Sequence, residues 1–505
     1  MTMPEFKKLS TLYTEINSLR GVLSLLAWDQ ETYMPPKGLE PRSHQNGVIT
    51  GLLHEKLTSP TMGRLLDALE KENAQQLLTP MQRCIVSELR YDFERARKLP
   101  VQLVSDLAET TSLAMTAWSK ARSAKQFALF ADALKRVVDL LRQKAEAYGY
   151  AESPYDALIE EYERGMTASR IRPTFARLRE KLSLMIKTLA EAPNAPRKDI
   201  LTRHYDADKQ WELGLRVLRD MTFDFESGRL DRSAHPFTEG SHPWDIRLTT
   251  RVLEDYLPAA LFASMHEGGH GLYEQGFPPE IMNTPLAAAP SLGIHESQSR
   301  LWENQVGRSR AFWRKYYPVT QELFPETLHD INEEEFYRAI NTVQPSFIRV
   351  EADEATYPLH IILRFELEQG LIEGSIQVDD LPDLWNAKMK ELLGIEPPDD
   401  AQGVLQDIHW SHGLVGYFPT YAIGNIYAAQ IFAQLRKDIP DVDEQMATGN
   451  LRVIRDYLAQ HIYSAGRSML ADDIIKQLCG EGLNEQPFVD YLAKKFSQIY
   501  DCRLS

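Results

Sequence analysis

The spacing of apolar residues is helical over most of the chain. The first such run is Phe6, Leu9, Tyr13, Ile16 and Leu19. Recurrence at steps of three and four residues is typical of an amphipathic helix. The same spacing predicts helices over about 47–69, 79–98, 103–147, 170–192, 208–221, 257–275, 292–316, 333–342, 346–374, 380–393, 418–437, 448–463 and 486–500. Only residues 223–250, with Gly, Pro and alternating positions, favour short strands. The predicted fold class is therefore all-α, mostly helical with a few short strands.

No segment of the sequence has the composition of a linker between domains. There is no long low-complexity stretch, internal repeat or block of like charge. Such features would be expected at the joints of a chain built from several units. We therefore predict a single unit over residues 1–505.

The charge and composition exclude several classes of partner. Hydrophobic residues make up 43% of the chain, which suits a globular protein with a large core. Its 56 basic and 72 acidic residues give a formal charge of −16, which argues against nucleic acid and anionic membranes as partners.

The cysteines and the N-terminal segment predict a cytoplasmic protein. Cys84, Cys479 and Cys502 are few and far apart, which indicates a reducing compartment and no thiolate metal site. The first twenty residues lack the apolar core of a signal peptide, and the longest apolar runs are too short to span a bilayer.

A zinc-hydrolase signature lies inside the predicted helix 257–275. His266 and His270 are one helical turn apart on the same face, so that both imidazoles can bind one metal ion beside Glu267. The helix also contains Gly268, Gly269 and Gly271. Each glycine disfavours helix by about 1 kcal/mol relative to Ala. We interpret them as positions where another backbone comes close, such as a peptide beside the metal. The alternative is a fraying helix end with an ordinary core histidine.

A catalytic zinc needs a third protein ligand and an open position for water. Glu296, in the next predicted helix and 26 residues after His270, is our predicted third ligand. Ser299 and Arg300 follow it by three and four residues and would orient its carboxylate. His295 and Glu303 remain alternatives for the third ligand if the helical register differs.

A polar stripe marks the predicted helix 346–374. Arg349, Asp353, Tyr357 and His360 would share one face among apolar neighbours. A polar stripe in such surroundings needs partners. The simplest account is an Arg349–Asp353 ion pair that braces the core, with Pro358 kinking the helix.

A third cluster of polar and aromatic residues lies in the glycine-punctuated segment 403–421. Its members are Gln406, Asp407, His409, Trp410, His412, Tyr417 and Tyr421. A metallopeptidase requires hydrogen-bond donors for the oxyanion that forms on the attacked carbonyl, and His or Tyr side chains can supply them. Aromatic packing around a loop is the alternative.

Together these motifs resemble the carboxypeptidase Taq family of zinc metallocarboxypeptidases, peptidase family M32. Five motifs occur in the family's order: DIRLT (245–249), HEGGH (266–270), HES (295–297), IRVEAD (348–353) and GVLQDIHW (403–410). The resemblance implies a two-lobed helical molecule with a deep central groove, similar in shape to neurolysin and angiotensin-converting enzyme, and usually a homodimer.

The resemblance also implies roles for individual residues. The zinc ligands would be His266, His270 and Glu296, and the general base Glu267. Arg349 would bind the C-terminal carboxylate of the substrate, and the DIRLT segment, with Arg247, would help to close the groove. His409 and Tyr421 would stabilise the oxyanion. Arg247 and Arg300 are the other candidates for binding the substrate carboxylate.

The predicted activity is removal of single residues from peptides with a free C-terminus, with broad specificity. One Zn²⁺ per chain is expected, with Co²⁺ as an alternative. An oligoendopeptidase on the same scaffold and a non-catalytic helical peptide-binding protein are the rival predictions.

Overall fold

The computed structural model describes residues 3–504. The helices are α1 Pro4–Thr32, α2 Leu39–Leu57, α3 Pro60–Leu69, α4 Glu72–Leu77, α5 Pro80–Lys98, α6 Val101–Ala124, α7 Ala128–Tyr148, α8 Pro154–Ile159, α9 Ala168–Ala190, α10 Ala207–Asp220, α11 Leu257–Gln275, α12 Leu292–Arg300, α13 Arg310–Leu323, α14 Glu333–Ile340, α15 Tyr357–Glu373, α16 Leu381–Leu393, α17 Pro419–Asp438, α18 Val442–Thr448, α19 Arg452–His461, α20 Ala471–Cys479 and α21 Gln486–Tyr500. The strands are β1 Gly228–Arg232, β2 Thr238–His242 and β3 Asp245–Thr250. The predicted all-α class, with strands confined to 223–250, is confirmed.

Several predicted helices are divided by local signals that the apolar spacing does not contain. The predicted helix 47–69 falls into α2 and α3, because Ser59 caps a new helix by accepting a hydrogen bond from the Met62 amide. The predicted helix 103–147 falls into α6 and α7 at Lys125, whose φ of 58° ends α6 in the left-handed region. The prediction omitted the short helices α4, α8, α18 and α20.

The three strands form one small sheet in the order β1-β3-β2, with β1 parallel and β2 antiparallel to β3. Its two faces have different neighbours. Ile246 and Leu248 are buried against α11 at Gly271. Arg247 points to the other face and lies over the Trp28 ring of α1 at 4.3 Å. The sheet therefore separates α1 from the helix that contains the zinc-hydrolase signature.

The buried apolar residues form one connected cluster that extends from Phe6 in α1 to Tyr500 in α21. Around the signature helix, α11 packs against α10, α12 and β3, and α12 packs against α17. This continuity supports the single unit, which stays a prediction, as do the two lobes and the groove. None of the helices in residues 3–504 combines the length and the apolarity that crossing a membrane requires.

Candidate metal centre

Two histidines of α11 and one carboxylate of α12 converge on one point. The Nε2 atoms of His266 and His270 lie 3.5 and 3.4 Å from the same oxygen, Oε2 of Glu296. All three ligand atoms lie within 4.8 Å of one another. Two imidazole nitrogens and one carboxylate oxygen are a donor set that suits a catalytic divalent metal such as zinc. The residues present therefore fit a metal ion.

The orientation of the histidines leaves their Nε2 atoms free for a metal. Nδ1 of His266 lies 2.9 Å from Oε2 of Glu303, a contact that favours the tautomer with the proton on Nδ1 and the lone pair on Nε2. Burial alone would lower the pKa of His266, but Glu296 and Glu303 raise it, so a metal at Nε2 would have to displace a proton. Burial and the neighbouring His295 lower the pKa of His270 to about 3, which keeps this imidazole neutral.

The two alternatives for the third ligand lie outside the convergence point. Glu303 is on the far side of His266, bonded to Nδ1. The ring of His295 stacks on that of His270 at 4.4 Å, and its Nε2 lies 2.8 Å from Oε1 of Glu274. Both side chains support the histidines from behind.

Glu296 is held by residues of its own helix, at the spacing that the sequence suggested. Ser299 Oγ donates to Oε2 at 3.0 Å, and Arg300 Nε donates to Oε1 at 2.6 Å. Burial alone would raise the pKa of Glu296, but Arg300 and the two histidines hold it well below its usual range. The carboxylate therefore stays ionised inside the protein.

Glycines allow three helices to meet at this point. A Cβ atom on Gly269 of α11 would lie 2.7 Å from the Gln298 carbonyl oxygen of α12, and one on Gly424 of α17 would lie 2.6 Å from Cγ of Glu296. The glycines of the signature thus admit α12 and other parts of the fold. The predicted close approach of another backbone is confirmed at Gly269, but that backbone belongs to α12 and not to a substrate peptide.

Glu267 is buried beside the ligands and is oriented by the sheet. Thr238 Oγ1 of β2 lies 2.7 Å from Oε2 of Glu267 and 3.0 Å from its carbonyl oxygen. Burial raises the pKa of Glu267, although His266 opposes this effect. Neither Thr238 nor Gly424 was found from the sequence, since only the tertiary structure brings these residues to the site.

The surroundings of Arg349 differ from the predicted ones. The predicted helix 346–374 begins only at Tyr357, with Pro358 in its first turn and not at a kink, and Arg349 lies in a short 3₁₀ turn. Asp353 accepts hydrogen bonds from the backbone amides of Ala355 and Thr356 and so does not pair with Arg349. The predicted ion pair and shared helical face are therefore wrong.

The partner of Arg349 is Asp407, in the third sequence cluster. Nε and Nη2 of Arg349 donate to Oδ1 of Asp407 at 3.1 and 2.9 Å, and Nη1 donates to the Tyr357 hydroxyl at 3.0 Å. Arg364 binds the other oxygen of Asp407, with its Nε at 2.7 Å. Two buried guanidinium groups share one carboxylate, so that Asp407 balances only one of their two charges.

Tyr357 contacts both Arg349 and Arg300, and so lies between the Arg349 guanidinium and the candidate metal ligands. Its hydroxyl accepts from Arg349, and its ring lies beneath the guanidinium of Arg300 at 4.4 Å. Arg300 in turn binds Glu296 at 2.6 Å and Glu303 at 3.1 Å. The bonds of Arg300 are thus directed to Glu296 and Glu303, whereas those of Arg349 go to Asp407 and Tyr357, and both side chains keep unused N–H groups.

His409 and Tyr421 lie in the same aromatic group. The His409 ring lies 5.4 Å from Tyr417 and 6.3 Å from Tyr421, and its buried Nδ1 has no hydrogen-bond partner among residues 3–504. Burial and the charges of Arg349 and Arg364 lower the pKa of His409 to about 4, against the effect of Asp407. His409 is therefore neutral at pH 7 and has one ring N–H to donate.

Arg247 is the one candidate that the structure keeps apart from this group. It faces α1, where Nε binds Oδ1 of Asp245 at 2.9 Å and its guanidinium covers Trp28. Thr238, which contacts Glu267, pairs with Leu248 and so shares the opposite face of the sheet.

Comparison with known proteins identifies the family. Residues 8–496 match the family described as carboxypeptidase Taq (M32) metallopeptidase. The chain belongs to this M32 family. It is 40% identical to thermostable carboxypeptidase 1 of Thermus thermophilus, over 98% of this chain and 99% of the relative. It is 37% identical to carboxypeptidase 1 of Bacillus subtilis, over 98% of both chains. The crystal structure of an M32 carboxypeptidase from Deinococcus radiodurans is similar with a TM-score of 0.96 and 38% identity, covering 99% of this chain and 100% of that one.

Membership of the M32 family makes this chain a metallocarboxypeptidase, a peptide-bond hydrolase that uses a divalent metal. His266, His270 and Glu296 form the candidate site for that metal. The predicted family and enzyme class are confirmed.

The arrangement predicts different consequences for the two nearby carboxylates. Glu296→Ala should weaken metal binding severely, because it removes a ligand. Glu303→Ala should weaken it by only about 10- to 100-fold, because it removes the hydrogen bond that orients His266. Titration of both M32 variants with a competing chelator measures the difference. Greater metal loss in Glu303→Ala would show that Glu303 is the ligand.

Proposed function

We propose that this protein is a zinc carboxypeptidase that releases single C-terminal residues from peptides with broad specificity. The observation that supports this most strongly is the partly used guanidinium of Arg349, connected through Tyr357 to the residues that hold Glu296. An exopeptidase must bind a free carboxylate at a fixed distance from the bond that it cuts. An endopeptidase binds no free C-terminal carboxylate and therefore does not need a buried cation near its metal site.

Arg349 is suited to bind that carboxylate. A guanidinium has five N–H donors, and its planar fork pairs with a carboxylate through two parallel hydrogen bonds. Arg349 uses three donors within residues 3–504, two to Asp407 and one to Tyr357. One N–H on each Nη therefore remains for a substrate. Arg364 neutralises Asp407 from the other side, so that the cation keeps its charge for the substrate.

In the proposed reaction, the residues around the candidate metal ligands would act one after another. Zinc held by His266, His270 and Glu296 would polarise the scissile carbonyl and lower the pKa of a water molecule. Glu267 would take the proton of the attacking water and then deliver it to the leaving amine. Its buried position, which raises its pKa, suits a group that must hold a proton briefly.

His409 and Tyr421 would donate hydrogen bonds to the oxyanion of the tetrahedral intermediate. A neutral His409 has an N–H available for this, and burial raises the pKa of Tyr421 well above its usual value, so that its hydroxyl keeps its proton. Packing of Gly424 on Glu296 supports this role, because it brings the helix that contains Tyr421 against one of the candidate metal ligands.

The finer parts of the proposal rest on chemistry and on the family resemblance. One Zn²⁺ per chain suits the one group of three potential ligands found within residues 3–504, and Co²⁺ would fit the same donors. The three unpaired cysteines favour a cytoplasmic location. A homodimer follows from the resemblance, and sedimentation analysis tests it.

Hydrolysis of paired peptides tests the proposal. A peptide with a free C-terminus should lose single residues, whereas its C-terminally amidated form should be a poor substrate. Chelation should abolish the activity, and added Zn²⁺ should restore it. Internal cleavage of both peptides would favour an oligoendopeptidase. Peptide binding without cleavage in the metal-loaded protein would favour a binding scaffold.

A further inference from the structure

Glu368 is a buried carboxylate with no place in the chemistry proposed above. It lies in α15 with 0% of its surface exposed. Among the ion pairs within residues 3–504, none includes Glu368, and the donors of the neighbouring Arg364 go to Asp407 and to the His360 carbonyl. Burying an unpaired carboxylate is unfavourable. Burial raises the pKa of Glu368 to about 7.

Three donors from two parts of the chain surround this carboxylate. Oε1 accepts from the Trp410 indole N–H at 2.8 Å. Oε2 accepts from the Tyr155 hydroxyl at 2.8 Å and from the Gly416 amide at 2.9 Å. Two of the donors lie in one short segment, residues 409–417, which we call the 409–417 loop. The third lies in α8.

The 409–417 loop contains one oxyanion candidate, His409, and is followed at once by α17, which contains the other, Tyr421. Trp410 directly follows His409, and Gly416 directly precedes Tyr417. A single carboxylate therefore fixes both ends of the loop, and the rings of His409 and Tyr417 lie 5.4 Å apart at those ends. Gly416 has a φ of +84°, and a Cβ there would lie 2.8 Å from the backbone of Leu158 and Ile159. The loop therefore packs tightly on α8 at the same point.

We propose that Glu368 is a positioning residue that holds His409, Tyr417 and the start of the Tyr421 helix in place for the oxyanion. This inference rests on the proposed function. Displacing a catalytic group by about 1 Å can reduce a rate by roughly a hundredfold. A carboxylate that binds both ends of the loop limits such displacement, since neither end can move without leaving a buried N–H unpaired.

Glu368→Gln tests the role with little change in shape. An amide has one acceptor oxygen, so that its NH₂ group must face either the Trp410 N–H or the donors at Gly416 and Tyr155. One end of the loop is released in either orientation. We expect kcat to fall by roughly ten- to a hundredfold, with KM and metal content nearly unchanged. Affinity for a phosphonate peptide that mimics the tetrahedral intermediate should fall by the same factor as kcat/KM.

Two matched variants separate positioning from stability. Tyr155→Phe and Trp410→Phe each remove one hydrogen bond to Glu368, from α8 and from the 409–417 loop respectively. Assayed well below each Tm, Trp410→Phe should lower kcat and phosphonate affinity, whereas Tyr155→Phe should lower only Tm. If Glu368→Gln does not fold, the values of kcat, phosphonate affinity and Tm for Trp410→Phe and Tyr155→Phe test the positioning role instead.

The inference is overturned if Glu368→Gln and Trp410→Phe lower Tm but keep kcat within about twofold of the wild type. It is also overturned if Tyr155→Phe lowers kcat as much as Trp410→Phe. The wild type is assayed on the same peptide throughout. An inactive wild type would contradict the proposed function, whereas active wild type with equally active variants would contradict only the role of Glu368.

Discussion

Glu267→Gln is expected to reduce hydrolysis by roughly a hundredfold to ten-thousandfold, the usual contribution of a general base, while metal remains bound. The amide has the same shape and can still accept the hydrogen bond that Thr238 gives Glu267 at 2.7 Å. It cannot accept the proton of the attacking water. The candidate metal ligands His266, His270 and Glu296 are unchanged in this variant. Metal content of the purified variant and its turnover of a peptide with a free C-terminus are the two measurements.

Two further variants interpret that result. His266→Ala should lose both metal and activity, because it removes a ligand. Thr238→Val keeps the Glu267 carboxylate but removes the hydrogen bond that orients it, so that a smaller loss of kcat is expected with metal retained. Equal loss of metal in Glu267→Gln and His266→Ala would show that Glu267 has a structural role and that the base lies elsewhere.

Arg349→Ala is expected to remove most of the activity on peptides with a free C-terminus and to leave folding and metal binding intact. Loss of a buried charge-assisted contact costs about 2–4 kcal/mol, which is roughly a 30- to 1000-fold decrease in kcat/KM. Folding should survive because Asp407 remains paired with Arg364, whose Nε donates to it at 2.7 Å. Metal content and circular dichroism check the fold, and kcat/KM checks the activity.

The matched substrate for this variant is the C-terminally amidated peptide. The wild type should cut it poorly, and Arg349→Ala should make little further difference, since no carboxylate is present to lose its partner. If both peptides are affected equally, or if the protein unfolds, Arg349 is a core ion-pair residue. The carboxylate must then be bound by Arg247 or Arg300. The structure favours neither, because Arg247 faces α1 and Arg300 is bound to Glu296 and Glu303.

Local spacing in the sequence was sufficient for features that depend on a single helix. The two histidines of α11 meet because i and i+4 positions of any helix share a face. Ser299 and Arg300 bind Glu296 for the same reason, at i+3 and i+4. The all-α class follows likewise from apolar spacing that repeats along the chain. The family motifs then ranked Glu296, Glu267 and Arg349 among many polar residues.

Two local sequence features, at Pro358 and Asp353, explain why the predicted helix around Arg349 was wrong. Pro358 was interpreted as a kink, although proline is favoured in the first turn of a helix, where its missing N–H costs nothing. The side chain of Asp353 accepts from the backbone amides two and three residues further on, a turn that competes with helix. Both features place the start of α15 at Tyr357, after Arg349.

Contacts between distant segments were decided only by the tertiary structure. Asp407 lies 58 residues after Arg349, and no spacing rule connects them. The sequence offered both Glu303 and Glu296 as possible ligands. Packing of α11 on α12 places Glu303 at Nδ1 of His266 and Glu296 at Nε2, on the side of the candidate metal site. The sequence alone determined which side chains have the chemistry to bind a metal, accept a proton or pair with a carboxylate, because side-chain chemistry and helical periodicity are local. Which of them face each other was decided by packing, because close approach of helices at Gly269 and Gly424 depends on the whole core.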